Sequence, residues 1–408
     1  MNSLKIAVIG GGAAGFFAAI TCAEHYPQHQ VFLLEKSSKL LSKVKISGGG
    51  RCNVTHACFN AVQLAQHYPR GDKFLKNAFK RFMPQDMIAW LKQRDILVKA
   101  EADGRMFPVS DDSQTIIDCF LSECQLRNIF IHTRHEVSLI QKKHEGAFLL
   151  KITGKPDMEV NRVIIASGGS PRESGLSWLK ELGHNIEPPV PSLFSFNIRD
   201  ENLTELMGVS VASVSLKVQS TKLQESGPII ITHWGLSGPA ILKLSAWGAR
   251  ILKSMDYNFA LHVNWMGDMN EDRVRAQVQN QKSTHPAKKI KNECFDFSKR
   301  LWTYFMDKAK IPTEKIWGEL SKADINRLVA LLSNDVYQVE GKTTFKEEFV
   351  TCGGVGLGDI DVLTMQSKKI PHLYFCGEVM DIDGITGGFN FQAAWTTAYI
   401  AGVSAGML

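Results

Sequence analysis

The sequence predicts an α/β fold built on a Rossmann-type unit, and three observations predict it. Leu4, Ile6, Val8 and Ile9 form a short apolar run rich in β-branched residues that meets GGGAAG at Gly10–Gly15. An Ala/Phe-rich stretch that reads as a buried helix comes directly after. A second strand, Gln30 to Leu34, ends in Glu35, twenty residues past Gly15. Strand, tight turn, helix and strand-end carboxylate together make a dinucleotide-binding fingerprint.

Each glycine has a task in that fingerprint. Gly10 makes the turn, Gly12 lets a pyrophosphate approach the backbone, and Gly15 lets the helix pack closely on the strand. Ala13 and Ala14 complete the helix start, whose free N–H groups and positive dipole end face the phosphates. Glu35 should accept from the adenosine ribose hydroxyls, with Lys36 beside it. A carboxylate there repels a phosphorylated ribose, so FAD or NAD fits better than NADP.

Composition sets the frame. At 408 residues the chain is longer than one core usually organises, so two or three domains are expected. With 44% apolar and 22% charged residues it belongs to the folded globular class rather than the disordered one. The net charge of +6 is spread along the chain and does not by itself imply nucleic acid. Its densest basic stretch, Lys288, Lys289 and Lys291 with Lys299 and Arg300 beyond, reads as the solvated face of a helical segment. Eight cysteines without a CxxC pair or zinc spacing suggest neither disulfides nor a metal site, which fits a reducing, cytoplasmic setting. Ala7 to Ile20 is apolar enough to mimic a signal-peptide core, but its glycines belong to the nucleotide motif. No run reaches the roughly 18 consecutive apolar residues of a membrane span.

The segment after Glu35 separates FAD from NAD. Lys36 to His56 reads KSSKLLSKVKISGGGRCNVTH, with three glycines directly before Arg51, Cys52 and Asn53. Gly49 and Gly50 would bring bare amides near further phosphate and a ring system, while Lys43 or Arg51 offsets phosphate charge. Val160 to Ala166 is a strand closing on Ser167, Gly168 and Gly169, as beside the cofactor in two-dinucleotide-fold flavoproteins, and Val137 is assigned to the same site. Leu373 to Gly377 is another strand, ending at Glu378. After Asp381 and Asp383, a glycine-rich turn at Gly387 and Gly388 starts a helix near Phe389 and Asn390. That helix start would face the flavin edge where negative charge develops on reduction.

Four further stretches carry a resemblance. SGGGRCNVTH (Ser47–His56), DGRMFPVS (Asp103–Ser110), THWGLSGPAIL (Thr232–Leu242) and TCGGV with LYFCGEVMDIDGITGGFNFQAAW (Thr351–Val355, Leu373–Trp395) occur in that order. Together they resemble the BaiN/YhiN-type flavoproteins, labelled NAD(P)/FAD-dependent oxidoreductases or the aminoacetone oxidase family. The resemblance implies an FAD domain built from both chain ends and interrupted by a β-barrel domain that carries a small helical insert. The expected boundaries are 1–190 and 351–408 for the FAD domain, 191–268 and 335–350 for the barrel, and 269–334 for the insert. Short alternating strands from Pro191, such as Val209–Val218 and Gly227–Thr232, agree with this, as does the charged helical period of Asn270–Asn334. His56 departs from the family, which often has Asn there, and Glu378 stands where many FAD proteins carry Asp against the ribityl chain.

Candidate catalytic groups are few. Cys52 and Cys58 lie where disulfide reductases keep a redox pair, but five residues separate them instead of four, and buried cysteines are the better reading. Cys119 and Cys124 have the right spacing but sit in an amphipathic helix. His233, before GLSGPAIL, reads either as a proton donor or as a histidine bonding nearby backbone. Arg105 reads either as a group orienting a substrate carbonyl or carboxylate, or as a salt-bridge residue. No second GxGxxG comes after a strand, so NAD(P)H would be a transient donor without its own domain. The expected activity is hydride transfer through flavin to or from a small molecule with an activated C=C or carbonyl-conjugated group. The alternative is an RNA-associated flavoprotein using the basic helical insert.

Overall fold

The computed structural model describes residues 3–143, 146–292, 295–344 and 350–407. The chain divides into two compact units, 1–192 with 346–408, and 193–345.

The first unit is organised by a five-stranded sheet in the order Leu373–Phe375, Arg162–Ile165, Lys5–Ile9, Gln30–Glu35, Phe130–Thr133. Every pairing in it is parallel. The strands Lys5–Ile9, Arg162–Ile165 and Leu373–Phe375 are almost wholly buried, as expected of parallel strands covered on both faces. Against them lie two helices, Ala13–His25 and Phe389–Gly406, that are apolar all round rather than striped. They touch backbone to backbone: a Cβ on Gly402 would stand 2.6 Å from the Ala18 carbonyl oxygen. Phe17 then packs at 5.3 Å on Phe82, 5.2 Å on Trp90 and 5.6 Å on Trp395. Among the described residues no helix is long and apolar enough to cross a membrane.

Smaller sheets decorate this frame. An antiparallel meander, Val137–Lys142, Phe148–Ile152 and Met158–Val160, leads into the Arg162–Ile165 strand. Thr55–His56, Arg105–Pro108 and Val98–Ala100 form a second small sheet. Ile186–Ser192 pairs with Val350–Val355, so the chain leaves and re-enters this unit through one antiparallel ladder.

The second unit is a closed, all-antiparallel barrel in the order Ser195–Ile198, Gly235–Ser237, Gln224–Thr232, Ser210–Val218, Asn258–Asn264, Asp335–Thr343. Helices Glu271–Thr284, Lys299–Lys308 and Lys322–Ser333 are inserted before its last strand and share one continuous core with it. The junction is polar at one point, where buried Asp335 accepts from Trp265 Nε1 at 3.1 Å and pairs with Lys308 at 2.7 Å. The basic stretch differs from its sequence reading. Lys288 lies at a bend, Lys289 forms an isolated bridge with Ile316 and Lys291 lies in a 3-10 turn, with the fully buried Ile290 between them. Lys289 and Lys291 both pair with Glu314, and only Lys299 and Arg300 open an α-helix. Val350, expected in the barrel, instead opens the ladder of the first unit.

Because Gly402 is pressed on Ala18 while Gly358 faces open space, Gly402→Val should lower unfolding stability by about 1–3 kcal/mol or more. Gly358→Ala should be near neutral. Urea titration monitored by circular dichroism checks both, and equal stability of the two variants would contradict the packing argument.

Candidate functional site

Parallel strands place all their C-terminal ends on one side, where ligands of open α/β sheets bind. Three stretches meet there. Gly10 comes directly after Ile9, and its N–H donates to the Leu34 carbonyl at 2.8 Å. Its φ of +117° requires glycine, and a Cβ would lie 2.2 Å from the Ala166 oxygen, so the turn is pressed against the end of the neighbouring strand. A Cβ on Gly15 would strike the Gly10 oxygen at 1.8 Å, whereas one on Gly12 would meet nothing within 4 Å. The helix beginning at Ala13 and Ala14 has no side-chain cap. Glu35 Oε2 accepts from Gly11 N–H at 2.7 Å and Oε1 from Ser37 N–H at 2.8 Å. Each oxygen keeps a further lone pair for a ligand hydroxyl. Lys36 is exposed, and Val137 opens the meander two residues after His135, whose N–H donates to the Glu35 carbonyl at 2.9 Å.

The second stretch, Ser42 to Asn53, turns through left-handed backbone at Gly48, Gly49 and Gly50. Gly49 and Gly50 face open space, as does Gly168 after Ala166 and Ser167. The two cations expected here are each held by carboxylates. Lys43 Nζ stands 2.6 Å from Glu378 Oε2, while Glu378 Oε1 accepts from Thr351 N–H at 2.9 Å. Arg51 lies 3.9 Å over the Phe107 ring and donates to Glu101 at 2.7 Å. Cys52 is buried, and burial pushes its thiol up to about 12. A thiol so protonated is a poor nucleophile. Cys58 is likewise free.

The third stretch comes from the chain's far end. Gly377 N–H donates to Thr397 Oγ1 at 3.0 Å, and a Cβ on Gly377 would meet Ala14 at 2.7 Å. Gly388 begins the Phe389–Gly406 helix without a side-chain cap. In the amide orientation that satisfies its neighbours, Asn53 accepts from Gly388 N–H at 2.9 Å and donates to the Thr55 carbonyl at 3.0 Å. Thr55 Oγ1 donates to Gln392 at 2.6 Å and Trp395 Nε1 to the Val54 carbonyl at 2.9 Å. Asn390 exchanges two hydrogen bonds with Gly384. Behind this turn Asp383 is fully buried, bound by Arg70 and by Ser192 Oγ at 2.7 Å. Burial raises the Asp383 carboxyl, and Arg70 opposes that rise.

The candidate catalytic groups separate. Arg105 donates to Asp103 at 2.7 Å and to Glu101 at 2.8 Å, so Glu101 bridges Arg105 and Arg51. His233 belongs to the second unit, exposed in the hairpin turn after Gln224–Thr232 with its ring 4.1 Å from Trp234. Sequence reasoning missed Arg70, Ser192 and Glu101. Their only signal is a charge or hydroxyl far along the chain from the motif it supports.

Gly12, Gly49, Gly50 and Gly168 leave backbone uncovered at four points, two helices begin without side-chain caps, and a carboxylate ends the second strand. This donor set fits FAD: bare amides and helix starts for the pyrophosphate and the flavin carbonyl edge, and Glu35 for the ribose.

Comparisons with known proteins agree. A family model described as HI0933-like protein Rossmann domain matches residues 4–404. The chain is similar to the ribosomal RNA dihydrouridine synthase of Escherichia coli (strain K12), with 29% identity over 98% of this chain and 97% of the relative. It is also similar to the 3-dehydro-bile acid delta(4,6)-reductase of Clostridium scindens, with 26% identity over 98% of both. Among solved structures, the 3-ketosteroid delta1-dehydrogenase of Sterolibacterium denitrificans matches over 100% of both chains with a TM-score of 0.54 and 10% identity, a likeness of fold.

Removing Arg70 leaves Asp383 buried without its cation, so Arg70→Met should cost about 3–5 kcal/mol at neutral pH. The sign with pH is set by the raised carboxyl: the folded state favours its protonated form, so stability is lost as pH rises through the folded value. The deficit of Arg70→Met should therefore shrink as pH is lowered towards the ordinary carboxylate range. Urea unfolding between pH 4 and 8 checks this, and a constant deficit would contradict it.

Proposed function

The chain belongs to the HI0933-like family of FAD-binding oxidoreductases, and from that premise we propose that it reduces a carbon–carbon double bond conjugated to a carbonyl, with NAD(P)H as transient donor. The observation that carries this reading is chemical. The E. coli relative is named for forming dihydrouridine and the C. scindens relative for reducing a delta(4,6) 3-dehydro-bile acid. The uracil ring and a 3-keto diene both set an alkene in conjugation with a carbonyl, which polarises it towards hydride addition at the far carbon.

Bound FAD supplies the hydride transfer itself. The chain's part is to hold and orient. Gly12 and the helix start at Ala13–Gly15 receive the pyrophosphate, Glu35 the ribose hydroxyls, and Gly377 with Glu378 the ribityl chain. Amides at Phe389 and Asn390, in the first turn of the last helix, would favour negative charge on a ring edge placed there. Arg105 orients the substrate carbonyl, so that electron density leaving the alkene is stabilised on oxygen. A proton taken up from solvent completes saturation. Hydride and proton together account for the two hydrogens added.

A second reading places the alkene in a uridine of ribosomal RNA, which the name of the E. coli relative and the chain's +6 charge favour over a free steroid-like enone.

The purified protein should be yellow. Under anaerobic conditions NADH or NADPH should bleach the flavin, and enones or uridine-containing RNA should restore its colour faster than quinones do. Bleaching that only oxygen or quinones reverse would defeat the reductase reading. Glu35→Ala should weaken FAD binding about tenfold, the worth of one charge-assisted hydrogen bond of ~1.5 kcal/mol, measured by flavin fluorescence; unchanged affinity would remove Glu35 from the site.

A further inference from the structure

The strand Val350–Val355 carries the TCGGV motif and lies along the segment that follows the Leu373–Phe375 strand, with Val355 bridged to Met380. Asp381 N–H donates to the Val355 carbonyl at 3.0 Å, and a Cβ on Gly354 would stand 2.4 Å from the Val379 oxygen. This close approach brings Thr351 to Glu378. The Thr351 N–H donates to Glu378 Oε1 at 2.9 Å. Its hydroxyl is placed differently: Thr351 is 1% exposed, and Oγ1 has no hydrogen-bond partner among the described residues. The position that a Cβ on Gly169 would take lies 2.6 Å from that Oγ1 and 2.8 Å from Glu378 Oε1, so hydroxyl and carboxylate flank one point that the glycine keeps clear. Glu378 Oε2 meanwhile stands 2.6 Å from Lys43 Nζ.

A buried hydroxyl without a partner costs free energy, and one that lies beside a carboxylate is a donor held in reserve. Glu378 and Lys43 are the carboxylate and the cation expected to meet the ribityl chain and the phosphates, yet in the ligand-free chain each answers the other. A diphosphate that draws Lys43 towards itself takes a charge-assisted hydrogen bond from Glu378. We propose that Thr351 is a positioning residue for FAD, its hydroxyl taking hold of Glu378 as Lys43 turns to the phosphate. The exchange balances: Glu378 gives up a Lys43 N–H and gains the Thr351 O–H, while the Thr351 amide keeps its place on Oε1. The carboxylate therefore stays aimed with the cofactor bound. The proposal rests on the reading of Glu378 as the group that meets the ribityl chain.

The test titrates FAD into the flavin-free full chain and follows flavin fluorescence. Thr351→Val keeps the shape and the amide but removes the hydroxyl, and it should weaken FAD binding roughly tenfold, the effect of losing one hydrogen bond to a charged group. Thr351→Ser, which restores the hydroxyl, should bind like wild type. In urea the flavin-free Thr351→Val protein should be as stable as wild type or more so, because the group it loses has no partner there. On a Glu378→Ala background, Thr351→Val should change FAD binding by less than about twofold, since the hydroxyl acts through that carboxylate. Unchanged affinity in Thr351→Val, with Glu378→Ala weakened, overturns the proposal and leaves Glu378 at the ribityl chain. A less stable flavin-free Thr351→Val protein, or an equal loss of affinity with and without the Glu378 carboxylate, overturns it too, by assigning the hydroxyl to the fold or to another partner. Glu378→Ala that binds FAD like wild type defeats the ribityl reading and the proposal with it.

Discussion

The candidate site depends on one junction, where the start of the last helix is fastened to the segment after the triple glycine. Gly388 has no side chain because a Cβ would lie 2.5 Å from the Thr55 oxygen. Its N–H is taken by Asn53, while Thr55 and Val54 are bound one and two turns further along by Gln392 and Trp395. Residues more than 330 apart in sequence thereby become one rigid edge. The helix dipole is aimed by these bonds, and the bonds are buried, so an error in any one would leave polar groups unsatisfied. Arg70, Asp383 and Ser192 brace the turn from behind, and Ser192 ends the strand that pairs with Val350–Val355. The same residues that shape the edge therefore also close the ladder by which the chain returns.

Charge at this edge is balanced within the protein. Lys43 is matched by Glu378, and Arg51 by Glu101, which also holds Arg105. These pairs are partly exposed and contribute little to stability. Their effect is on direction: each cation is presented in a defined geometry rather than as a mobile side chain. On the proposed reading, pyrophosphate would be met chiefly by uncapped helix starts and bare amides, whose positions the sheet fixes. Such donors are already oriented before a ligand arrives.

Legibility in the sequence depends on how local each feature is. The strand, turn and helix at Lys5–His25 are written in adjacent residues, and so is Glu35 at the end of the next strand. Gly388 at a helix start is equally local. The barrel is visible as alternating strands, but its closure is not: the three-residue strand Gly235–Ser237 sits between Ser195–Ile198 and Gln224–Thr232, too short to carry a pattern. Arg70 and Asp383, 313 residues apart, share no local signal at all. Counting charge alone makes the lysines near 290 a helical face, because it does not ask where Ile290 must point. Once that side chain is buried, the segment bends through a 3-10 turn and the lysines meet Glu314 from the side.

Relatives that resemble this chain to almost the same degree, at 29% and 26% identity, bear names of very different substrates, a ribosomal RNA and a bile acid derivative. The glycine motifs do not separate them, since the role proposed for those motifs is to hold the cofactor, which is common to both. Nor can the flavin chemistry, because both substrates offer the same polarised alkene. What differs is everything attached to that alkene: a polyanion with stackable bases on one side, a rigid apolar skeleton on the other. Discrimination must therefore reside in groups that recognise charge and aromatic faces, or in an apolar enclosure.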